Sequence, residues 1–125
     1  MAKKILVADD DLSLVELIKT ALEIQGFEVI TAFNGTDALA KGIREKPDLI
    51  LLDILLPGVD GITLLRELRA EGLKCEVIIL TASPILHVQE GVRLGIYAYL
   101  NKALSTPKEI VALIKEATKR KDAAK

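Results

Sequence analysis

Two apolar runs in this chain end in acid. Ile5-Leu6-Val7-Ala8 leads into Asp9-Asp10-Asp11, and Leu49-Ile50-Leu51-Leu52 leads into Asp53. Apolar runs without alternation are how strands buried on both faces of a parallel sheet read. If these two strands are neighbours, their carboxyl ends bring Asp9, Asp10 and Asp53 into one small pocket. Two like charges ~4 Å apart repel by ~4 kcal/mol at an effective dielectric near 20. Uncompensated, such a cluster takes up protons or splays apart. A hard cation removes the conflict. Oxygen-only ligands with room for water suit Mg²⁺, which takes one or two carboxylates together with phosphate oxygens. The pattern therefore points to a metal-assisted phosphoryl site. Taken singly, Asp10 and Asp11 fit equally well as first-turn acids of a helix, where the macrodipole favours negative charge. The triplet gains its meaning from Asp53, Thr81 and Lys102, each closing its own apolar strand.

The 125 residues are expected to form one domain, residues 1–125, with enough core to fold unaided. A net charge of −1 argues against direct nucleic-acid contact, which normally demands a basic face. Cys75 is the lone cysteine, so no disulfide framework or thiolate metal site is available, and a half-buried structural thiol is expected. No apolar stretch approaches the ~18 residues that span a bilayer, and the N-terminal residues lack a secretory apolar core. A cytoplasmic protein without membrane partners is the resulting expectation.

Strand-like and helix-like patterns alternate five times. Strands are expected at 5–9, 27–31, 48–53, 76–81 and 97–101. The first helix carries the stripe Leu14, Leu17, Ile18, Ala21, Leu22, with Ser13 and Glu16 as a capping box and Gly26 as its stop. The second spans 36–45 and ends at Lys46-Pro47. The third is marked by Ile62, Leu65 and Leu68 and stops at Gly72; the fourth runs over about 85–94. The last opens at Thr106-Pro107-Lys108-Glu109, with Thr106 as N-cap, Pro107 in the first turn and Glu109 closing the box. Right-handed crossovers turn this alternation into a flavodoxin-like, doubly wound α/β fold: a five-stranded parallel sheet of order 2-1-3-4-5 with five helices. Ligands of such sheets bind beyond the strands' carboxyl ends where the order reverses, here between the first and third strands.

Four segments together resemble the receiver domains of two-component response regulators, including the stand-alone chemotaxis-type receivers. They are residues 5–11, residues 48–61, Val77-Ile78-Ile79-Leu80-Thr81-Ala82, and Tyr99-Leu100-Asn101-Lys102. The resemblance spans essentially the whole chain. It implies that Asp53 is the phosphoacceptor, a carboxylate nucleophile that forms an aspartyl-phosphate. Mg²⁺ would be held directly by Asp10, Asp53 and the backbone carbonyl of Leu55, with Asp9 acting through water. Lys102 would bind phosphoryl oxygens, and Thr81 would move its hydroxyl onto the phosphoryl group. Tyr99 would turn inward in response and alter the face made by the fourth helix, fifth strand and last helix. The implied partners are a sensor histidine kinase or phosphotransfer protein upstream, and an effector or second copy on that face. The chain would catalyse only its own phosphotransfer and slow autodephosphorylation.

Two other readings compete. A haloacid-dehalogenase-like aspartyl phosphatase wants a second acid two residues after the nucleophile, where this chain has Leu55, and a cap domain for which there is no length. A non-phosphorylated pseudo-receiver would have little reason to keep Asp9, Asp10, Asp53, Thr81 and Lys102 together. His87, the only histidine, reads as an exposed helix residue, and 119–122 as a solvated helix end whose cations complement the dipole. Apolar Ile85, Leu86 and Tyr97 would add to the partner face. No DNA-binding segment follows the last helix, so the chain is either a stand-alone receiver or part of a longer protein. It departs from the family at Ala103, where receivers usually carry a proline joined to the lysine by a cis bond. A cis bond before a non-proline residue costs ~2.5–4 kcal/mol against ~0.5–1 for proline, so a trans bond and a re-routed loop over 102–105 are expected.

Overall fold

The computed structural model describes residues 2–82 and 93–123. Its elements are β1 (Lys4–Ala8), α1 (Leu12–Ile24), β2 (Glu28–Ala32), α2 (Gly35–Glu45), β3 (Leu49–Leu52), α3 (Gly61–Ala70), β4 (Glu76–Thr81), β5 (Ala98–Asn101) and α4 (Pro107–Ala123). All sheet pairings are parallel, and the order is β2-β1-β3-β4-β5, as expected. Four helices stand among the described residues. The helix expected over about 85–94, with Ile85, Leu86 and His87, lies almost entirely outside them.

Alternation along each strand explains the apolar runs. Leu6, Ala8, Ile50, Leu52 and Ile79 face one layer and pack with Ala38 of α2 and Leu64, Leu65 and Leu68 of α3. Ile5, Val7, Leu49, Leu51, Ile78 and Leu80 face the other, against Val15, Ile18 and Leu22 of α1 and Ile110, Ile114 and Ala117 of α4. Helices cover both faces, so the buried positions of β1, β3 and β4 stay apolar until the strand ends. Cys75 is fully buried in the first layer rather than half-buried, because it sits where the chain turns inward to enter β4.

The helix starts correct one expectation and confirm another. α1 begins earlier than a Ser13–Glu16 box would allow: Asp11 is the N-cap, and its carboxylate accepts from Leu14 N at 3.2 Å. An unshared aspartate caps as well as serine, and it brings α1 directly against the acidic triplet. At the other end of the chain Thr106 and Glu109 form the expected reciprocal box. Thr106 N donates to Glu109 Oε1 at 3.1 Å, and Glu109 N to Thr106 Oγ1 at 3.2 Å.

Two glycines hold the loop between β3 and α3 against the sheet. Gly35 N donates to Pro57 O at 2.8 Å, and a Cβ on Gly35 would meet Val59 Cβ at 2.7 Å. A Cβ on Gly61 would lie 2.8 Å from Ile54 Cβ and closer still to its backbone. The loop can fold this tightly only because both positions lack side chains. Gly61→Ala should therefore destabilise the protein by about 1–3 kcal/mol, the usual cost of overpacking. Urea unfolding should show a lower midpoint at unchanged slope; wild-type stability would contradict the packing described.

Candidate functional site

Asp9 and Asp53 sit one residue beyond the ends of β1 and β3, and the sheet's hydrogen bonding carries on to hold them. Asp9 N donates to Ala32 O at 3.1 Å, and Asp53 N to Ala8 O at 2.9 Å. Both side chains are buried, whereas Asp10 faces solvent. Carboxylate oxygens of Asp9, Asp10 and Asp53 lie within 4.8 Å of one another. The strand ends thus bring together the three acids that the sequence singled out.

Lys102, directly after β5, reaches across β4 to this cluster. Its Nζ lies 2.9 Å from Asp9 Oδ1 and 3.1 Å from Asp53 Oδ2. Leu55 N donates to Asp53 Oδ1 at 2.9 Å, so both oxygens of Asp53 have donors. Asp9 is less evenly served. Its Oδ1 also accepts from Asp11 N at 2.9 Å, while its Oδ2 is a buried side-chain oxygen without a partner. An orphaned carboxylate oxygen in a cluster of three acids fits a cation, whose positive charge offsets their mutual repulsion. The donor set is oxygen only, as a hard divalent ion requires.

Burial pushes the Asp9 carboxyl above the usual aspartate value, and the neighbouring Asp53 charge adds to this; hydrogen bonds from Asp11 and Lys102 pull only partly the other way. Burial also opposes the charge on Lys102. Its hydrogen bonds to Asp9 and Asp53, with their charges, outweigh that and hold the ammonium above the ordinary lysine value.

Thr81 is fully buried at the end of β4, and its carbonyl accepts from Lys102 N at 2.8 Å. Tyr99 lies in the edge strand β5, paired in register with Ile79, and packs half-buried on the α2–α3 layer; burial raises its phenol. The Leu55 side chain points to solvent, leaving its backbone to face the site. The Lys102–Ala103 bond is trans, and no cis peptide bond occurs among the described residues. Sequence reasoning did not single out Asn101. Its side chain accepts from Ala103 N at 2.9 Å and closes the turn after Lys102. An Asn at a strand end is a turn former by its chemistry, and that signal was present.

A buried acidic pocket at the reversal of a doubly wound parallel sheet, spanned by a lysine from the fifth strand's end, defines a phosphoryl-signalling module. The chain belongs to the response regulator receiver domain family, whose model matches residues 5–115. It is therefore a receiver domain of two-component signalling. It is 42% identical to the alkaline phosphatase synthesis transcriptional regulatory protein PhoP of Bacillus subtilis, over 99% of this chain and 52% of that protein. It is 37% identical to the DNA-binding response regulator MtrA of Mycobacterium tuberculosis, over 98% of this chain and 53% of that protein. The chain thus spans about half the length of these curated relatives. Among solved structures, a CheY-like receiver domain protein from Methanospirillum hungatei superposes with a TM-score of 0.93 at 29% identity, covering 100% of both chains. The Francisella response regulator 1452 receiver domain gives a TM-score of 0.85 at 36% identity, covering 95% of this chain and 98% of that one.

The raised Asp9 carboxyl fixes the sign of a pH effect. A folded-state value above the unfolded one means that the ionised group opposes folding. That penalty is fully present at neutral pH and relieved as pH falls through the folded value; below about 4, the ordinary aspartate value, both states are protonated and the term vanishes. Under chelator, Asp9→Asn should therefore unfold at a higher urea midpoint than wild type at pH 7. Its advantage should shrink toward pH 4. A less stable Asn variant at pH 7 would mean that the Lys102 contact outweighs burial.

Proposed function

We propose that Asp53 accepts a phosphoryl group from a phosphohistidine on a sensor histidine kinase or phosphotransfer protein, with Mg²⁺ as cofactor. The observation that carries this reading is the setting of the Asp53 carboxylate. It is buried, pinned by Leu55 N and Lys102 Nζ, and faces two further acids of which one has an unpartnered oxygen. One Asp53 oxygen forms the new P–O bond as the P–N bond of the donor breaks, and the electron pair leaves with the imidazole. Lys102 is placed to follow the developing charge, since it already spans Asp9 and Asp53. Asp10, Asp53 and the Leu55 carbonyl would hold Mg²⁺ directly, and Asp9 through water. When bound, the ion supplies charge neutralisation and in-line positioning of the phosphoryl group.

The output runs through Thr81 and Tyr99. Thr81 ends the strand beside Asp53, and its hydroxyl is proposed to turn onto the phosphoryl oxygens. Tyr99 then moves inward on the neighbouring strand. β5 is the sheet's edge, so this change would reach the face it forms with α4. That face would receive an effector or a second copy of the chain. The setting is proposed to be cytoplasmic; no helix among the described residues is long and apolar enough to cross a membrane. A phosphatase reading is disfavoured because Leu55 presents an amide, not an acid, to Asp53.

Incubation with a small phosphodonor and Mg²⁺ should produce a base-labile acyl phosphate on the Asp53 peptide, read by mass spectrometry. Asp53→Asn and chelator should each abolish it. Undiminished modification of the mutant would remove the assignment. With beryllofluoride in place of the donor, the NMR signals of Tyr99 should shift; an unchanged Tyr99 would argue against the switch.

A further inference from the structure

Lys102 enters the carboxylate pocket from a turn built on one residue. Asn101 Oδ1 accepts from Ala103 N at 2.9 Å, and the Asn101 carbonyl accepts from Leu104 N at 3.2 Å and Ser105 N at 3.0 Å. Three successive amides thus fold back onto the two oxygens of a single residue. On the other side, Lys102 N is tied to Thr81 O at 2.8 Å. The lysine backbone is held from both directions, and its side chain has one way to go.

The side-chain bond is a matter of residue type. Only a short side chain with an acceptor, such as Asn, Asp, Ser or Thr, reaches the amide two positions on. A valine or isoleucine, favoured in strands, would leave Ala103 N without that partner. A proline at 103 would offer no N–H for it to receive. The pair Asn101 and Ala103 is therefore matched: one supplies the acceptor, the other keeps the donor.

We propose that Asn101 is a positioning residue for Lys102, its side-chain carbonyl fixing the trans turn that aims the ammonium between Asp9 and Asp53. The activity readout rests on the phosphoacceptor reading of Asp53; the spectroscopic one does not. Asn101→Ala removes the acceptor, and Asn101→Ser restores a shorter one without charge. In metal-free protein the Lys102 side-chain ammonium, held between two buried carboxylates, should give a slowly exchanging ¹⁵N NMR signal. That signal should broaden or vanish in Asn101→Ala and return in Asn101→Ser. Phosphorylation of Asp53 by a small donor should slow by about 10- to 100-fold in Asn101→Ala, the scale of a misplaced charged group. In a Lys102→Ala background the same substitution should have no further effect, because a residue acting through Lys102 cannot act without it.

Two results would overturn the proposal. One is a Lys102 signal unchanged in Asn101→Ala; the other is an Asn101→Ala defect that persists undiminished without Lys102, which would mark a merely structural turn. Should wild-type protein take up no phosphoryl group, the functional reading fails alone, and the ammonium signal still decides the role of Asn101.

Discussion

One ammonium group ties the sheet's acidic edge together. Lys102 reaches two buried carboxylates, 93 residues and 49 residues distant in sequence, that belong to different strands. Without it, Asp9 and Asp53 would face each other beside Asp10 with no positive charge to offset them. With it, compensation is incomplete: the lysine pairs with two of the three acids, and Asp9 keeps an orphaned oxygen and a raised carboxyl. The pocket is thus poised. Its carboxylates are only partly satisfied, an arrangement that fits a divalent cation.

The fold makes that balance possible by what it forbids elsewhere. Two helical layers seal both faces of the sheet, so the central strands β1, β3 and β4 are apolar along their buried lengths and the acids of the site gather at the carboxyl edge. The strand order reverses between β1 and β3, which opens the crevice where the acids meet. The same edge carries the residues proposed to connect the site to output. The Lys102 amide donates to the Thr81 carbonyl, so the lysine and the proposed hydroxyl switch are linked by one hydrogen bond between neighbouring strand ends.

Fold and site were legible to different degrees. The unalternating runs at 5–8 and 49–52 announced a doubly covered parallel sheet, and the acids at their ends announced the pocket. Both follow from local sequence, because burial on two faces leaves only one composition. The start of α1 was misread: Ser13 and Glu16 match a capping box in letters, but Asp11 stands nearer the strand and caps first. Burial of Cys75 was underestimated because it sits between elements, where periodicity carries no signal. The trans bond at Ala103 followed from its intrinsic cost. What replaces the missing proline did not, since the bond from Ala103 to Asn101 depends on where the turn goes rather than on any pattern.

The three carboxylates are proposed to form a cation site which Lys102 only partly neutralises. Calorimetric titration of Mg²⁺ into wild-type protein, Asp10→Asn and Lys102→Met tests it directly. One binding event is expected in wild type, its loss or severe weakening in Asp10→Asn, and tighter binding in Lys102→Met, where the competing ammonium is gone. Binding that is indifferent to Asp10, or weakened by removing Lys102, would contradict it.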